Sequence, residues 1–276
     1  MRYFLSGLTV IALLISSPVG AQEPEDFLVT ASSTSGTVGG SADVSFFFSN
    51  ASAEGLAGYQ FGVCHDASRL DVTADEIDLG AAIADLSFTF ELREVYADAE
   101  LGGPGWTGAG LFNVITMAEL PPGDLDEIYV ATYSLLETGV ATVEWCETLG
   151  LPAVANRLVY VSESGEAAEL APLEADGEIR VDAQFRRGDV DGNGVVEPIV
   201  DTLFLLDWAF IDGPGPGCLS AADVNDDGGI SATGDAIYLL SFGFSGGAPP
   251  PAPGSTECGG DERLDDLGCL DSATCE

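Results

Sequence analysis

Two acidic segments hold the side chains best suited to chemistry. They read Asp189-Val190-Asp191-Gly192-Asn193-Gly194-Val195 and Asp223-Val224-Asn225-Asp226-Asp227-Gly228-Gly229, 34 residues apart. Each places oxygen-bearing side chains at alternate positions 1, 3 and 5, then a glycine at position 6 where the chain must turn sharply. A hard cation such as calcium takes six to eight oxygens; this alternation aims three at one point and the backbone carbonyl at position 7 adds another. The repeat runs on, because Asp201-Thr202-Leu203-Phe204-Leu205-Leu206 is echoed by Asp235-Ala236-Ile237-Tyr238-Leu239-Leu240 at the same offset. A single stretch of this kind is also a common solvated Asp/Asn/Gly turn. Two in register, each leading into an apolar helix-like run, favour a repeated ion site. Between Gly188 and Glu262 there is no Lys, Arg or His. A bound divalent cation is then the simplest way to offset the mutual repulsion of so many carboxylates.

The pattern is the first half of an EF-hand calcium loop. A pair of such loops, each followed by one short apolar helix, resembles the type I dockerin, the calcium-dependent docking module of secreted polysaccharide-degrading assemblies. The resemblance covers about residues 186–247. It implies a small α-helical module with two structural calcium ions and a face that binds a cohesin, itself a β-sandwich domain. Carried over by position, the first-loop ligands are Asp189, Asp191, Asn193, the Val195 carbonyl and Asp201. The second-loop ligands are Asp223, Asn225, Asp227, the Gly229 carbonyl and Asp235. Glu197 and Ser231 fall at position 9, where a ligand often acts through water.

The chain departs from the family at position 12. The bidentate acid expected there is replaced by Val200 and Gly234, and Asp201 and Asp235 come one residue later. Alignment on the following helices therefore implies a one-residue insertion in each loop, giving 13-residue loops. The insertion lies beside the family's recognition positions, here Pro198-Ile199-Val200 and Ala232-Thr233-Gly234, so partner identity does not carry over. The repeat predicts approximate two-fold symmetry, with Leu203, Phe204, Leu206 and Ile237, Tyr238, Leu240 on related helices. Trp208 and Phe242 either form a partner-facing apolar patch or complete a small core.

The elements upstream read as β-structure from residue 27 to about 182. Residues 44–48, 59–63, 87–92, 128–133, 141–145 and 157–161 are short β-prone runs, many bounded by Gly, Pro, Asn or Asp clusters. About eight or nine strands over this length predict an antiparallel β-sandwich. The segments Gly39-Gly40-Ser41-Ala42-Asp43-Val44, Leu56-Ala57-Gly58-Tyr59-Gln60-Phe61-Gly62-Val63 and His65-Asp66-Ala67-Ser68-Arg69-Leu70-Asp71-Val72 are similar to the early strands of cohesin-like and related carbohydrate-binding sandwiches. Pro121-Pro122-Gly123 before an apolar strand is similar to the same group. This resemblance implies a nine-stranded jelly roll.

Composition narrows the setting. Arg2, an apolar stretch over Leu5–Ile15 too short to span a bilayer, and Val19-Gly20-Ala21 before Gln22 read as a secretory signal over residues 1–21, cleaved after Ala21. No other long apolar run follows, so no membrane insertion is expected. The 276 residues carry 46 acids and eight bases, all Arg, for a net charge of −38. Such a chain will not bind nucleic acid or an anionic membrane through its charge. Six cysteines in an exported chain predict disulfides in any of 15 pairings. Cys64 and Cys146 lie in the large domain and Cys218, Cys258, Cys269 and Cys275 in or after the module, so pairing within each group is the most economical. The domain plan is 27–182 for the sandwich and 186–247 for the module. A stiff Pro-rich spacer and a Cys-containing acidic tail occupy 248–276. Arg186 and Arg187, before the first loop, either pair with nearby carboxylates or mark the domain edge.

No catalytic set emerges. His65, the only histidine, neighbours Asp66 without a nucleophile motif and reads as a satisfied strand-end residue. Trp106 and Trp145 fit either a sugar-stacking platform or a sandwich core. The expectation is a secreted, non-catalytic, calcium-binding interaction protein of an extracellular assembly linked to polysaccharide degradation. Its partner would be a cohesin-like domain, with self-association allowed by the two module types on one chain. The alternative is a polysaccharide-binding or adhesin-type sandwich displayed through the module.

Overall fold

The computed structural model describes residues 24–276 except 53, 98, 162–166, 262, 264, 266, 270–274 and 276; the signal segment lies outside the described residues. The first strands are β1 (Phe27–Ala31), β2 (Thr34–Thr37), β3 (Ser41–Asn50), β4 (Leu56–His65), β5 (Leu70–Asp71), β6 (Ile77–Leu79) and β7 (Phe88–Tyr96). They are followed by β8 (Gly105–Phe112), β9 (Gly123–Leu135), β10 (Gly139–Cys146), β11 (Arg157–Val161), β12 (Ala167–Leu170), β13 (Leu173–Ala175) and β14 (Gly177–Asp182). Three helices complete the chain: α1 (Pro198–Ile211), α2 (Leu219–Ala222) and α3 (Ala232–Ser245).

All six runs expected as strands lie within strands or overlap them closely. The strand count of eight or nine was too low, because short edge strands such as β5, β6 and β13 carry too few residues for alternation to show. The sandwich is also not purely antiparallel: β1 pairs β13, and β14 pairs β2, in parallel. One sheet runs β13-β1-β3-β9-β5, with β6 also on β9. The other runs β7-β8-β4-β10-β14-β2; β11, with β12 beyond it, pairs the first half of β4.

Strict alternation explains how the sheets meet. In β3, Ala42, Val44, Phe46 and Phe48 are buried while Ser41 and Asp43 face solvent. In β10, Ala141, Val143 and Trp145 are buried between exposed Val140, Thr142 and Glu144. The two inner faces share one core, in which Phe46 meets Trp106 and Trp145 edge-on at 5.1 and 5.6 Å. Each buried aromatic removes about 150–250 Å² from water, worth roughly 4–6 kcal/mol of transfer free energy. Polar ends inside the core are paired: Trp106 Nε1 donates to Tyr133 Oη at 3.1 Å, and the Tyr59 and Tyr129 hydroxyls lie 2.9 Å apart. Both tryptophans are therefore core residues, which removes the sugar-stacking platform.

The disulfides are Cys64–Cys146, joining β4 to β10, with Cys218–Cys269 and Cys258–Cys275 in the C-terminal part. His65 is not satisfied as expected: its Nδ1 is buried with no hydrogen-bond partner among the described residues. Burial lowers its pKa, against the opposing pull of the Asp71 and Asp66 carboxylates.

The segment between sandwich and helices is pinned rather than free. Ala183 N donates to Cys269 O, Phe185 bridges Gly259, and Arg187 N donates to Gly254 O. Ala183, Phe185, Cys218, Ala221 and Cys269 form a small buried cluster of their own. The Pro-rich stretch expected as a spacer also packs on the module, with Pro250 buried and the Pro249 carbonyl accepting from Tyr238 Oη at 3.0 Å. Polyproline character was legible in the sequence; the aromatic that it docks against was not.

Candidate metal centre

Both loops fold by the same backbone turns. Gly192 and Asp226, related by the repeat, have φ of 71° and 57°; Gly194 and Gly228 have 91° and 90°. Left-handed backbone at these places lets successive amides point inward at the side chains of positions 1 and 3. Asp189 Oδ1 accepts from Asn193 N and Oδ2 from Gly194 N, at 3.0 and 2.8 Å. Asp223 repeats this with Asp227 N and Gly228 N, at 3.1 and 2.9 Å.

The late acid closes each loop. Asp201 Oδ1 accepts from Val190 N at 2.8 Å and Asp191 N at 3.3 Å, and Oδ2 accepts from Glu197 N at 2.6 Å. Asp235 makes the same three bonds to Val224 N, Asn225 N and Ser231 N, at 2.9, 3.3 and 2.8 Å. Asp201 and Asp235 are both wholly buried, whereas Val200 at position 12 is 44 % exposed. Position 13, not 12, therefore faces the loop interior. Glu197 and Ser231 sit one residue before α1 and α3, and Ser231 Oγ caps α3 by accepting from Gly234 N.

The donor set suits a hard cation. In the first loop, carboxylate oxygens of Asp189, Asp191 and Asp201 all lie within 4.8 Å of one another. Asn193 Oδ1 lies in the same loop, where it accepts from Val195 N. Burial pushes the carboxyls of Asp201 and Asp235 up to about 6, and raises that of Asp189. Carboxyls held this way gain most from a divalent ion placed among them.

The second loop differs in its acid grouping. The carboxylates brought within 4.8 Å are those of Asp223, Asp226 and Asp265. Asn225 and Asp227 stay on the loop, where Asn225 Nδ2 donates to Asp227 Oδ2 at 3.0 Å. Asp265 comes from the C-terminal tail, a residue that no loop pattern could have found. Arg187 joins the parts. It is wholly buried and donates to Ala252 O, Ser220 O and Asp223 O, all at 2.9–3.0 Å, and to Asp261 Oδ1 at 2.9 Å. Asp226 Oδ1 lies 3.5 Å from the same guanidinium. Of the two readings for the arginine pair, carboxylate pairing holds for Arg187, while Arg186 donates to Gly194 O at 2.9 Å.

Behind the loops, Val190, Leu205, Ala222, Val224 and Leu239 form the module core. Phe204, Trp208, Tyr238 and Phe242 pack against it half-buried, so Trp208 and Phe242 belong to the core and not to an outer patch. The outer faces instead expose Leu203, Phe210, Ile237 and Phe244, at 61, 67, 68 and 64 %. These are two repeat-related pairs, Leu203 with Ile237 and Phe210 with Phe244. Within each helix the pair is separated by two turns, so it shares one stripe.

No protein-family model and no curated protein matches the chain. Solved structures do. The seventh ScaB type I cohesin from Pseudobacteroides cellulosolvens is 15% identical with a TM-score of 0.45, over 57% of this chain and 92% of that one. The Coh-OlpC-Doc435 complex, a type I cohesin–dockerin complex from Clostridium thermocellum, matches at 9% identity and 0.44, over 58% and 95%. A non-cellulosomal cohesin from the archaeon Archaeoglobus fulgidus matches at 10% identity and 0.38, over 56% and 91%.

Proposed function

We propose that this chain is a secreted, non-catalytic docking protein whose helical module binds two calcium ions and presents an apolar helix face to a protein partner. The observation that carries the reading is the identical closure of two loops by Asp201 and Asp235, each with oxygen donors at positions 1, 3 and 5. Asp189, Asp191, Asn193, the Val195 carbonyl and Asp201 would hold one ion; Asp223, Asn225, Asp227, the Gly229 carbonyl and Asp235 would hold the other. Bound calcium would supply structural neutralisation of the loops and no chemistry. Three disulfides, with no free cysteine among the described residues, support an oxidising compartment.

The partner side rests on the two exposed repeat-related pairs, since apolar side chains this exposed and this regularly placed mark an interaction surface. A sandwich domain of the cohesin type is the partner that the dockerin resemblance implies, within an extracellular assembly acting on polysaccharide. Titration calorimetry of the mature chain tests the metal part: two calcium ions per chain are expected, and no uptake at millimolar calcium would end the reading.

A further inference from the structure

His65 is the only histidine in the chain and ends β4, only 9 % exposed. Its ring meets Tyr133 edge-on at 5.4 Å, and its Nδ1 is sealed off with no hydrogen-bond partner among the described residues. A buried polar atom left unpaired is destabilising, so a native fold that keeps one has a reason for it. His65 also lines a cavity of about 340 Å³ at one end of the sandwich, a volume at the small end of the range for ligand sites. Val72 and Thr73, just after β5, line one part of it; Val95, Tyr96 and Pro104, between β7 and β8, line another.

The polar side chains of this lining divide into engaged and free. The Thr73 hydroxyl donates to Glu76 Oε2 at 2.9 Å and the Tyr96 hydroxyl to Glu94 Oε2 at 3.0 Å. Asp71 is exposed at the cavity, and no hydrogen bond or ion pair among the described residues engages its carboxylate. Burial lowers the His65 pKa while the Asp71 and Asp66 carboxylates pull the other way, so the ring is neutral at neutral pH. A neutral imidazole has one N–H and one bare nitrogen. An N–H sealed away from any acceptor is a rarer and costlier defect than a bare nitrogen. The proton therefore belongs on Nε2, which makes His65 a donor and Asp71 an acceptor on the same cavity.

An occupant must satisfy both. A carboxylate ligand would meet Asp71, and a chain of net charge −38, with like charge. An ammonium ligand has nothing to accept from Nε2–H. A hydroxyl both donates and accepts, and Val72, Val95 and Pro104 offer apolar contact to the carbon skeleton that carries it. We infer that this cavity is a binding site for a small uncharged polyhydroxy compound, the size of one sugar ring, whose hydroxyls accept from His65 Nε2 and donate to Asp71. The site lies in the sandwich, uses neither tryptophan and does not depend on the docking reading above.

The single histidine makes the test direct. The mature chain, untagged and labelled with heavy nitrogen only at histidine, gives one imidazole in long-range proton–nitrogen spectra, and the free chain should carry its proton on Nε2. Titration with glycerol, xylose, glucose, galactose and mannose should move the Nε2 resonance saturably for at least one of them, while methylammonium and acetate leave it in place. Asp71→Ala, at an exposed position, should weaken that binding about tenfold or more, as a lost hydrogen bond to a charged group does. His65→Phe keeps the edge-on contact with Tyr133 and removes the sealed nitrogen, so its melting temperature should hold or rise while saturation transfer to the same compound disappears. If that variant does not fold, Asp71→Ala decides. An oligosaccharide that binds as tightly as its own monosaccharide identifies the ligand as a chain end; binding of the monosaccharide alone identifies a free sugar. A proton on Nδ1 in the free chain, a response to none of the polyols, a stronger response to methylammonium or acetate, or unchanged affinity in Asp71→Ala overturns the inference.

Discussion

The carboxylates of Asp201 and Asp235 make the same three backbone hydrogen bonds, one oxygen spanning the second and third amides of a loop and the other the amide at position 9. Each sits in the first turn of a 14-residue helix, α1 or α3, so helix and loop share one residue as their joint. The acid at position 13 thus closes each loop from within the first turn of the helix that follows it.

The first prediction follows from that joint. Asp201→Asn keeps the shape and removes the charge, so calorimetry should show one calcium per chain in place of two. Asp235→Asn should do the same at the other loop, and the double variant should bind none. Val200→Ala, at position 12, should leave both sites intact, because Val200 faces outward. Loss of a site in Val200→Ala, or two ions retained in Asp201→Asn, would show that another residue closes the loop.

The second prediction concerns pH. Burial raises the carboxyls of Asp201 and Asp235 to about 6, above the ordinary range near 4. A raised folded-state value means that the calcium-free fold binds more protons than the unfolded chain. Its stability contribution is thus full below about pH 4 and is lost as pH rises through about 6. Calcium needs these groups ionised, so its affinity should run the opposite way, falling on the order of tenfold per pH unit per site below pH 6. Melting temperatures in chelator and in calcium, taken between pH 4 and 8, should therefore diverge as pH rises. In Asp201→Asn/Asp235→Asn the calcium-free slope should flatten; an unchanged slope would exclude these two groups as its source.

Much of the chain was legible because the periodicities were local. The repeat from Asp189 and Asp223 defined both loops, and alternation in β3 and β10 defined the inner faces of the sandwich. What escaped notice depends on contacts distant in sequence. Trp208 and Phe242 occupy equivalent places on their helices, and nothing local says whether that place faces inward. Asp265 reaches the second loop only because Arg187, Arg263 and the tail fold back on it. His65 read as a satisfied strand end, but its Nδ1 is walled in by neighbours that offer no partner.

The third prediction concerns Arg187, whose guanidinium is wholly buried against Asp226 and Asp261. Its hydrogen bonds hold the linker, the second loop and the tail together. Arg187→Met keeps much of the volume but leaves two carboxylates without their cation, a change that typically costs about 3–5 kcal/mol. Asp261→Asn in the same background should recover part of that loss, because it removes one of the stranded charges. Denaturant unfolding of the four chains makes a double-mutant cycle. Additive losses would mean that Arg187 acts only through its backbone-carbonyl bonds.

The fourth prediction separates the disulfides by what they hold. Cys218–Cys269 closes a sequence separation of 51 and lies in the buried cluster with Ala183 and Phe185. Cys64–Cys146 joins β4 to β10 inside a sheet already tied by backbone hydrogen bonds. Replacing either pair with serine should cost about 2–4 kcal/mol by releasing the unfolded chain. The places that loosen should differ. Without Cys218–Cys269, the Ala183 amide and the Phe185–Gly259 bridge lose their anchor, so hydrogen exchange should accelerate over residues 183–188 while the β3 and β9 amides stay protected. Without Cys64–Cys146, exchange should rise at the β4–β10 pairing and leave the linker slow. Equal acceleration throughout the chain in both variants would mean that sandwich and module unfold as one unit, and that the clasp contributes no separate step.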